Sequence, residues 1–195
     1  DGIYKSIDAG RTWKNVGLRD TKHIARVALH PRDTSIVFVA ATGHLWGPNR
    51  ERGLFKSTDG GVTWRQVLFV ERRRSPFVFL GGCRGSALWK STDGGETWRK
   101  LTGGLPDGDK GRIGISIYRK DPRIVYVCVE QGLRYNASTA YEQRLAGIYR
   151  SEDRGESWTH MSDWNPRPMY ASQIRVDPND DRRIYMVNSF SYSDD

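Results

Sequence analysis

Five acidic residues, Asp20, Glu51, Glu130, Glu142 and Asp163, lie in or beside the non-repeating stretches of this 195-residue chain. Two carboxylates flanking a bound sugar split a glycosidic bond at separations of about 5–5.5 Å for retention or about 6.5–9.5 Å for inversion. None of the five sits in a diagnostic motif, and a sequence carries no distance between them. The same stretches hold His44, Trp46, Arg50, Arg52, Tyr135, Trp164, Arg167 and Tyr170. Aromatic rings stack on the C–H faces of sugars or pack on peptide side chains. Arginine forks hold carboxylates or sulfates through paired bonds. These eight are the candidate ligand-binding residues, for a protein or carbohydrate ligand with acidic groups. Loop packing and solvated charge are the competing explanation of the same residues.

Other chemistries find less support. No Cys/His cluster has zinc spacing, so no metal and no cofactor are expected. Cys83 and Cys128 read as two unpaired thiols rather than a disulfide framework. Asn136-Ala137-Ser138 matches a glycosylation triplet, a pattern of low specificity. The net charge of +8 is dispersed, with Arg72-Arg73-Arg74 as the one tight run, and no nucleic-acid motif accompanies it. No apolar run approaches the ~18 residues of a membrane span.

The elements that must position these loops are announced by a repeated octet. Its copies are Ser6 to Trp13, Ser57 to Trp64, Ser91 to Trp98 and Ser151 to Trp158, with the pattern S-x-D-x-G-x-[ST]-W. Each follows a short apolar run: Gly2 to Lys5, Gly53 to Lys56, Ala87 to Lys90 and Gly147 to Arg150. The runs alternate apolar and polar residues, as a strand with one buried face does. The aspartate accepts bonds from its own turn, glycine supplies positive φ, and Thr and Trp restart a strand. Asp8, Asp59, Asp93 and Asp153, with Trp13, Trp64, Trp98 and Trp158, are therefore expected to be structural. One carboxylate per turn is too few for a calcium site, which takes six to eight oxygens.

The octet resembles the Asp-box, or BNR repeat, the turn between the third and fourth strands of a β-propeller blade. Gly43 to Asn49 and Asn165 to Tyr170 are similar to segments of bacterial BNR-repeat glycosyl hydrolase-like and sortilin-N-terminal-like proteins. The resemblance implies an all-β propeller of four-stranded antiparallel blades. It also implies a secreted, periplasmic or otherwise extracytoplasmic location. It leaves activity open, because enzymes and non-enzymes share the box. A sialidase would add an Arg triad, a Tyr nucleophile and an Arg-Ile-Pro segment. This sequence has only Arg112-Ile113-Gly114 and Arg123-Ile124-Val125.

The whole chain, 1–195, is expected to be a partial propeller. Blade pieces are expected near 1–17, 24–69, 112–162 and 173–195, the last incomplete, with a degenerate piece at 87–102. Successive octet tryptophans are 51, 34 and 60 residues apart. The interval of 34 is too short for a blade of roughly 40–45 residues, so 71–86 is expected to be irregular. Ser193-Asp194-Asp195 matches the opening of a fifth octet, so further blades are expected from additional sequence or another chain. Strand alternation puts the octets and the Pro/Asp turns on one face and the long loops on the other. The function expected is a non-catalytic scaffold binding a protein or glycan through the long-loop face. A xyloglucanase- or sialidase-like glycoside hydrolase piece is the alternative.

Overall fold

A computed structural model describes residues 2–44, 49–69, 85–131, 146–165, 172–186 and 191–193. Trp46, Cys83, Tyr135, Glu142, Arg167, Tyr170 and residues 71–84 lie outside the described residues. The chain divides into two compact units, Asp1–Phe79 with Ser91–Trp98, and Leu80–Lys90 with Arg99–Asp195.

The first unit holds a two-stranded ribbon, β1 (Tyr4–Lys5) and β2 (Lys14–Asn15), and one four-stranded sheet. That sheet is β3 (His23–Leu29), β4 (Val37–Gly43), β5 (Gly53–Ser57) and β6 (Arg65–Phe69), paired antiparallel in chain order. β4 alternates buried Val37, Val39 and Ala41 with half-buried Phe38, Ala40 and Thr42, as the period of two requires.

The second unit holds the ribbon β7 (Trp89–Lys90) and β8 (Arg99–Lys100). It also holds a four-stranded sheet of β9 (Lys110–Ile117), β10 (Val125–Gln131), β11 (Gly147–Ser151) and β12 (Thr159–Ser162). A three-stranded sheet follows: β13 (Ile174–Val176), β14 (Ile184–Met186) and β15 (Ser191–Ser193). β10 is apolar on both faces because both are covered. Val125, Val127 and Val129 join Leu88, Leu101, Leu105, Tyr149 and Trp158. Tyr126 and Cys128 join Ile148, Ile174, Ile184 and Met186. Each fully buried aliphatic side chain here contributes about 1.5–3 kcal/mol. Burial also pushes the Cys128 thiol up to about 12 and leaves it fully covered.

Each octet closes its hairpin through one saturated carboxylate. In the fourth, the Ser151 hydroxyl donates to Asp153 Oδ1 at 2.8 Å and accepts the Gly155 N–H at 2.8 Å. Asp153 Oδ1 also accepts the backbone N–H groups of Glu156 and Ser157, and Oδ2 accepts the Ser157 hydroxyl. Asp8, Asp59 and Asp93 stand in corresponding networks. The fourth octet position has a left-handed φ of 58° at Ala9, 71° at Gly60, 69° at Gly94 and 64° at Arg154. The fifth reaches 84° to 96° and is glycine in all four copies. A side chain survives the first region and is strained in the second.

The octets share one end of the sheets with the β3–β4 and β9–β10 turns. Gly60 N–H donates to Ser35 O at 2.8 Å, and Arg154 N–H to Arg123 O at 2.9 Å. The long connections leave from the other end.

Hydrogen bonds from Thr12 hold Asp8 down to about 2, and those from Thr63, Thr97 and Ser157 hold Asp59, Asp93 and Asp153 below the usual carboxylate range. A carboxylate depressed on folding stabilises the native state fully above its unfolded value near 3.8, and that contribution disappears as pH falls through the folded value. The thermal midpoint is therefore expected to drop below about pH 4. Asp153→Asn should lower the midpoint at neutral pH and flatten this acid limb in differential scanning calorimetry. An unchanged limb would count against the assignment. Cys128 should resist iodoacetamide in the native protein and react on unfolding, read by mass spectrometry of its peptide.

Candidate functional site

At the end of the first unit away from the octets, the β4–β5 connection is tied down from within. Arg52 is buried, and its guanidinium donates from Nε to Thr42 O at 2.8 Å and from Nη2 to His44 O at 3.1 Å. Gln66 Nε2 donates to the carbonyls of Arg50 and Arg52 at 3.0 and 2.9 Å. Asn49 Oδ1 accepts the Glu51 N–H at 2.9 Å, while its buried Nδ2 has no partner. A side chain at Gly43 would meet that amide at 2.4 Å, so glycine is required there. Arg52, a candidate ligand fork in the sequence, is thus a brace holding the loop. His44 and Arg50 are exposed beside it, and Glu51 is half-buried. Asp20 is exposed in the short 3₁₀ turn Arg19–Thr21.

The corresponding end of the second unit gathers around Glu130, which is only 2% exposed. Its Oε2 accepts the Arg112 N–H at 2.8 Å, and its Oε1 has no partner. Gly111 leaves it room, since a Cβ there would lie 2.3 Å from the Glu130 Cδ. Ser86 Oγ donates to Gly111 O at 3.0 Å. Burial raises the Glu130 carboxyl above its usual value, against the Arg112 N–H that lowers it. Nearby in sequence, Lys110 is also buried, its Nζ donating to Gly108 O at 3.5 Å, and burial lowers its ammonium.

After β12, Asp163 Oδ1 lies 3.2 Å from His160 Nε2, whose ring packs 4.8 Å from that of Tyr149. Trp164 is half-buried against the Cys128–Ile148–Ile174 cluster, and the buried Asn165 Nδ2 has no partner. Of the five acidic candidates, Asp163 pairs with histidine, Asp20 is exposed on its turn, and Glu130 is enclosed. Lys110 is a buried charge that the sequence reading missed. Its position at the first residue of a strand, where solvent would be the default for lysine, gave no signal.

Family comparison adds two matches, a BNR-Asp box repeat over residues 148–161 and a BNR/Asp-box repeat over residues 89–100. The chain carries Asp-box repeats on β-propeller blades. The fold is similar to that of the GH74 xyloglucanase from Xanthomonas campestris, with TM-score 0.64 at 19% identity, covering 98% of this chain and 33% of that one. It is also similar to the GH74 enzyme of Niastella koreensis, with TM-score 0.63 at 17% identity over 98% and 33%. The Asp-box chain thus spans about a third of the length of these solved enzymes. No curated protein matches it in sequence.

Arg52→Ala is expected to lower stability by about 1–3 kcal/mol, because it removes the buried guanidinium that holds the Thr42 and His44 carbonyls. Urea denaturation with unchanged far-UV circular dichroism would check it. A Glu130 carboxyl raised on folding stabilises the native state below its unfolded value near 4.5, and this contribution is lost as pH rises through the folded value. Glu130→Gln should therefore remove a decline in stability on going from pH 4.5 upward. Parallel denaturation curves for the two proteins across that range would contradict this.

Proposed function

We propose that this chain is a non-catalytic docking portion of an extracytoplasmic Asp-box propeller. Its loop ends receive a protein or carbohydrate ligand that carries acidic groups. The observation that supports this is the contrast between the two ends of the sheets. At the octet end every box carboxylate is saturated by its own turn. At the loop end of the first unit Asn49 Nδ2 is buried without a partner, next to exposed Arg50; at the loop end of the second unit Glu130 Oε1 and Asn165 Nδ2 are buried without partners, the latter next to half-buried Trp164. Rigid sheets carrying unsatisfied polar groups on their connecting loops are where binding concentrates. Arg50 and His44 supply donors for carboxylate or sulfate, and Trp164 a flat apolar surface for a sugar ring or side chain.

The alternative is a glycoside hydrolase portion, and Glu130 supports it. Burial raises the Glu130 carboxyl, which is the direction a general acid needs. A second carboxylate at hydrolytic distance would then be required. The similarity to GH74 enzymes, one of them a xyloglucanase, bears on fold and makes xyloglucan the first substrate to test.

Screening the chain against glycan and acidic-peptide arrays is expected to give binding that falls about tenfold on Arg50→Ala, the cost of one charged contact. Trp164→Ala should lower binding at the loop end of the second unit in a separate titration. Binding unchanged in both variants would remove the docking reading. Release of reducing sugar from xyloglucan that is lost in Glu130→Gln would favour the hydrolase.

A further inference from the structure

The step Asp-Gly occurs four times in the chain, and its chemistry sets it apart. Glycine has no side chain to shield its amide, so its nitrogen can close onto the carboxyl of the residue before it. Asp59–Gly60 and Asp93–Gly94 lie inside Asp boxes. Asp107–Gly108 lies in the connection from β8 to β9, at the loop end of the second unit. The fourth step begins at Asp1, outside the described residues.

The two box steps are locked. Asp59 Oδ1 accepts the Ser57 hydroxyl at 2.7 Å and the Thr63 N–H at 2.9 Å, and Oδ2 accepts the Thr63 hydroxyl. Asp93 Oδ1 accepts the Ser91 hydroxyl at 2.7 Å and the N–H groups of Glu96 and Thr97 at 3.0 Å each, and Oδ2 accepts the Thr97 N–H at 2.9 Å. Each carboxyl is thereby aimed at the residue four positions on. Turning it back onto the glycine nitrogen breaks the whole set, and bonds to an ionised acceptor are the stronger kind. In the second box the Gly60 N–H is itself engaged, donating to Ser35 O at 2.8 Å. Hydrogen bonds from Thr63 and Thr97 also hold both groups below the usual carboxylate range, which keeps them in the ionised form that resists attack by nitrogen.

Asp107 has a different setting. It and Gly108 are exposed, whereas Leu105, Pro106 and Lys110 around them are buried. Leu105 is seated in the cluster of Leu88, Leu101 and Trp158, and Lys110 Nζ donates to Gly108 O at 3.5 Å. The step is thus a solvent-facing tip between two anchors. Four positions on from Asp107 stands Gly111, which has no hydroxyl to offer. Gly108 has φ of 82°, a backbone state that glycine enters and leaves without the strain a side chain brings. Backbone opens most easily at exposed loop tips of this kind.

We propose that Asp107–Gly108 is a site of spontaneous isoaspartate formation in the folded protein, and that the Asp boxes protect the other two described steps. The Gly108 nitrogen attacks Asp107 Cγ. A C–N bond forms, the Cγ–OH bond breaks, and water leaves with the amide proton, giving a succinimide ring. Water then adds at the ring carbonyl that was the main-chain carbonyl of Asp107, and the bond from that carbon to nitrogen breaks. The water lost is regained, so mass and net charge are unchanged and no redox partner is needed. The product carries its main chain through Cβ and Cγ, one atom longer, with the α-carboxylate as its side group. The added atom falls between buried Pro106 and buried Lys110 and displaces the Gly108 carbonyl from the Lys110 ammonium.

The test incubates the full chain at neutral pH and body temperature, both native and in concentrated guanidinium chloride. Isoaspartate is located by electron-transfer fragmentation of proteolytic peptides, which separates the two linkages. Methyl transfer from S-adenosylmethionine by an isoaspartyl carboxyl methyltransferase checks each peptide independently. In the native chain the Asp107 peptide is expected to hold most of the isoaspartate formed at the three steps. In denaturant, where the boxes are undone, the three should react at comparable rates. Asp107→Glu should abolish the native product at this step, since its ring would need one more atom. Isoaspartate at Asp59 or Asp93 equal to that at Asp107 in the native chain would overturn the proposal. So would its absence at Asp107 in a native chain whose denatured form makes it, or a native pattern that persists in denaturant.

Discussion

A carboxylate with both oxygens committed inside an eight-residue turn is the constraint on which the rest of this structure depends. Asp153 binds its own serine, the N–H groups of Glu156 and Ser157, and the Ser157 hydroxyl. That network fixes the left-handed backbone at Arg154 and Gly155. It thereby fixes where Trp158 restarts the strand. The tryptophan then covers Leu88, Leu101 and the β10 valines. Without the turn, the register that brings Ile148 opposite Ser162 and Tyr149 opposite His160 has nothing local to set it.

From that turn follows the way neighbouring elements within each unit are tied. The box is rigid, so its carbonyl and its sixth residue are held at known positions, and the long Lys and Arg stems of the preceding ribbon reach them. Such surface pairs add little stability singly. Their value is positional: Glu96 and Glu156 each receive two bases, which fixes how box and ribbon meet. The apolar contact beneath, Val16 on Gly61 or Leu101 on Gly155, needs a residue without a side chain. The same glycine that tolerates the strained turn therefore also admits the neighbour.

The loop end has the opposite physics. Its buried groups are satisfied piecemeal, by Arg52 on two carbonyls and by Arg112 N–H on Glu130. Among the described residues Asn49 Nδ2, Glu130 Oε1 and Asn165 Nδ2 are left over there, and Arg150 Nε is left over beside the fourth octet. An unpaired buried polar atom is costly, and such groups in native structures call for a partner that is water, ion or ligand. Stability is thus concentrated at the repetitive end, and adaptable polar chemistry at the variable one.

The octets, their spacing and the strands flanking them were legible in the sequence, because turn chemistry is local. Serine, aspartate, glycine and tryptophan at fixed offsets have few other ways to satisfy their backbone. The sharing of one end by boxes and Pro/Asp turns was legible too, since strand alternation dictates it. The roles of loop residues were not. Arg52 reads as a free fork and is a buried brace; Glu130 reads as one acid among five and is enclosed over Gly111. Burial of a charged side chain depends on what distant strands bring over it, and no offset along the chain encodes that. Sequence alone settled the corners and the ribbons, while tertiary packing decided which charges are solvated, which are spent on the scaffold and which are left unpaired.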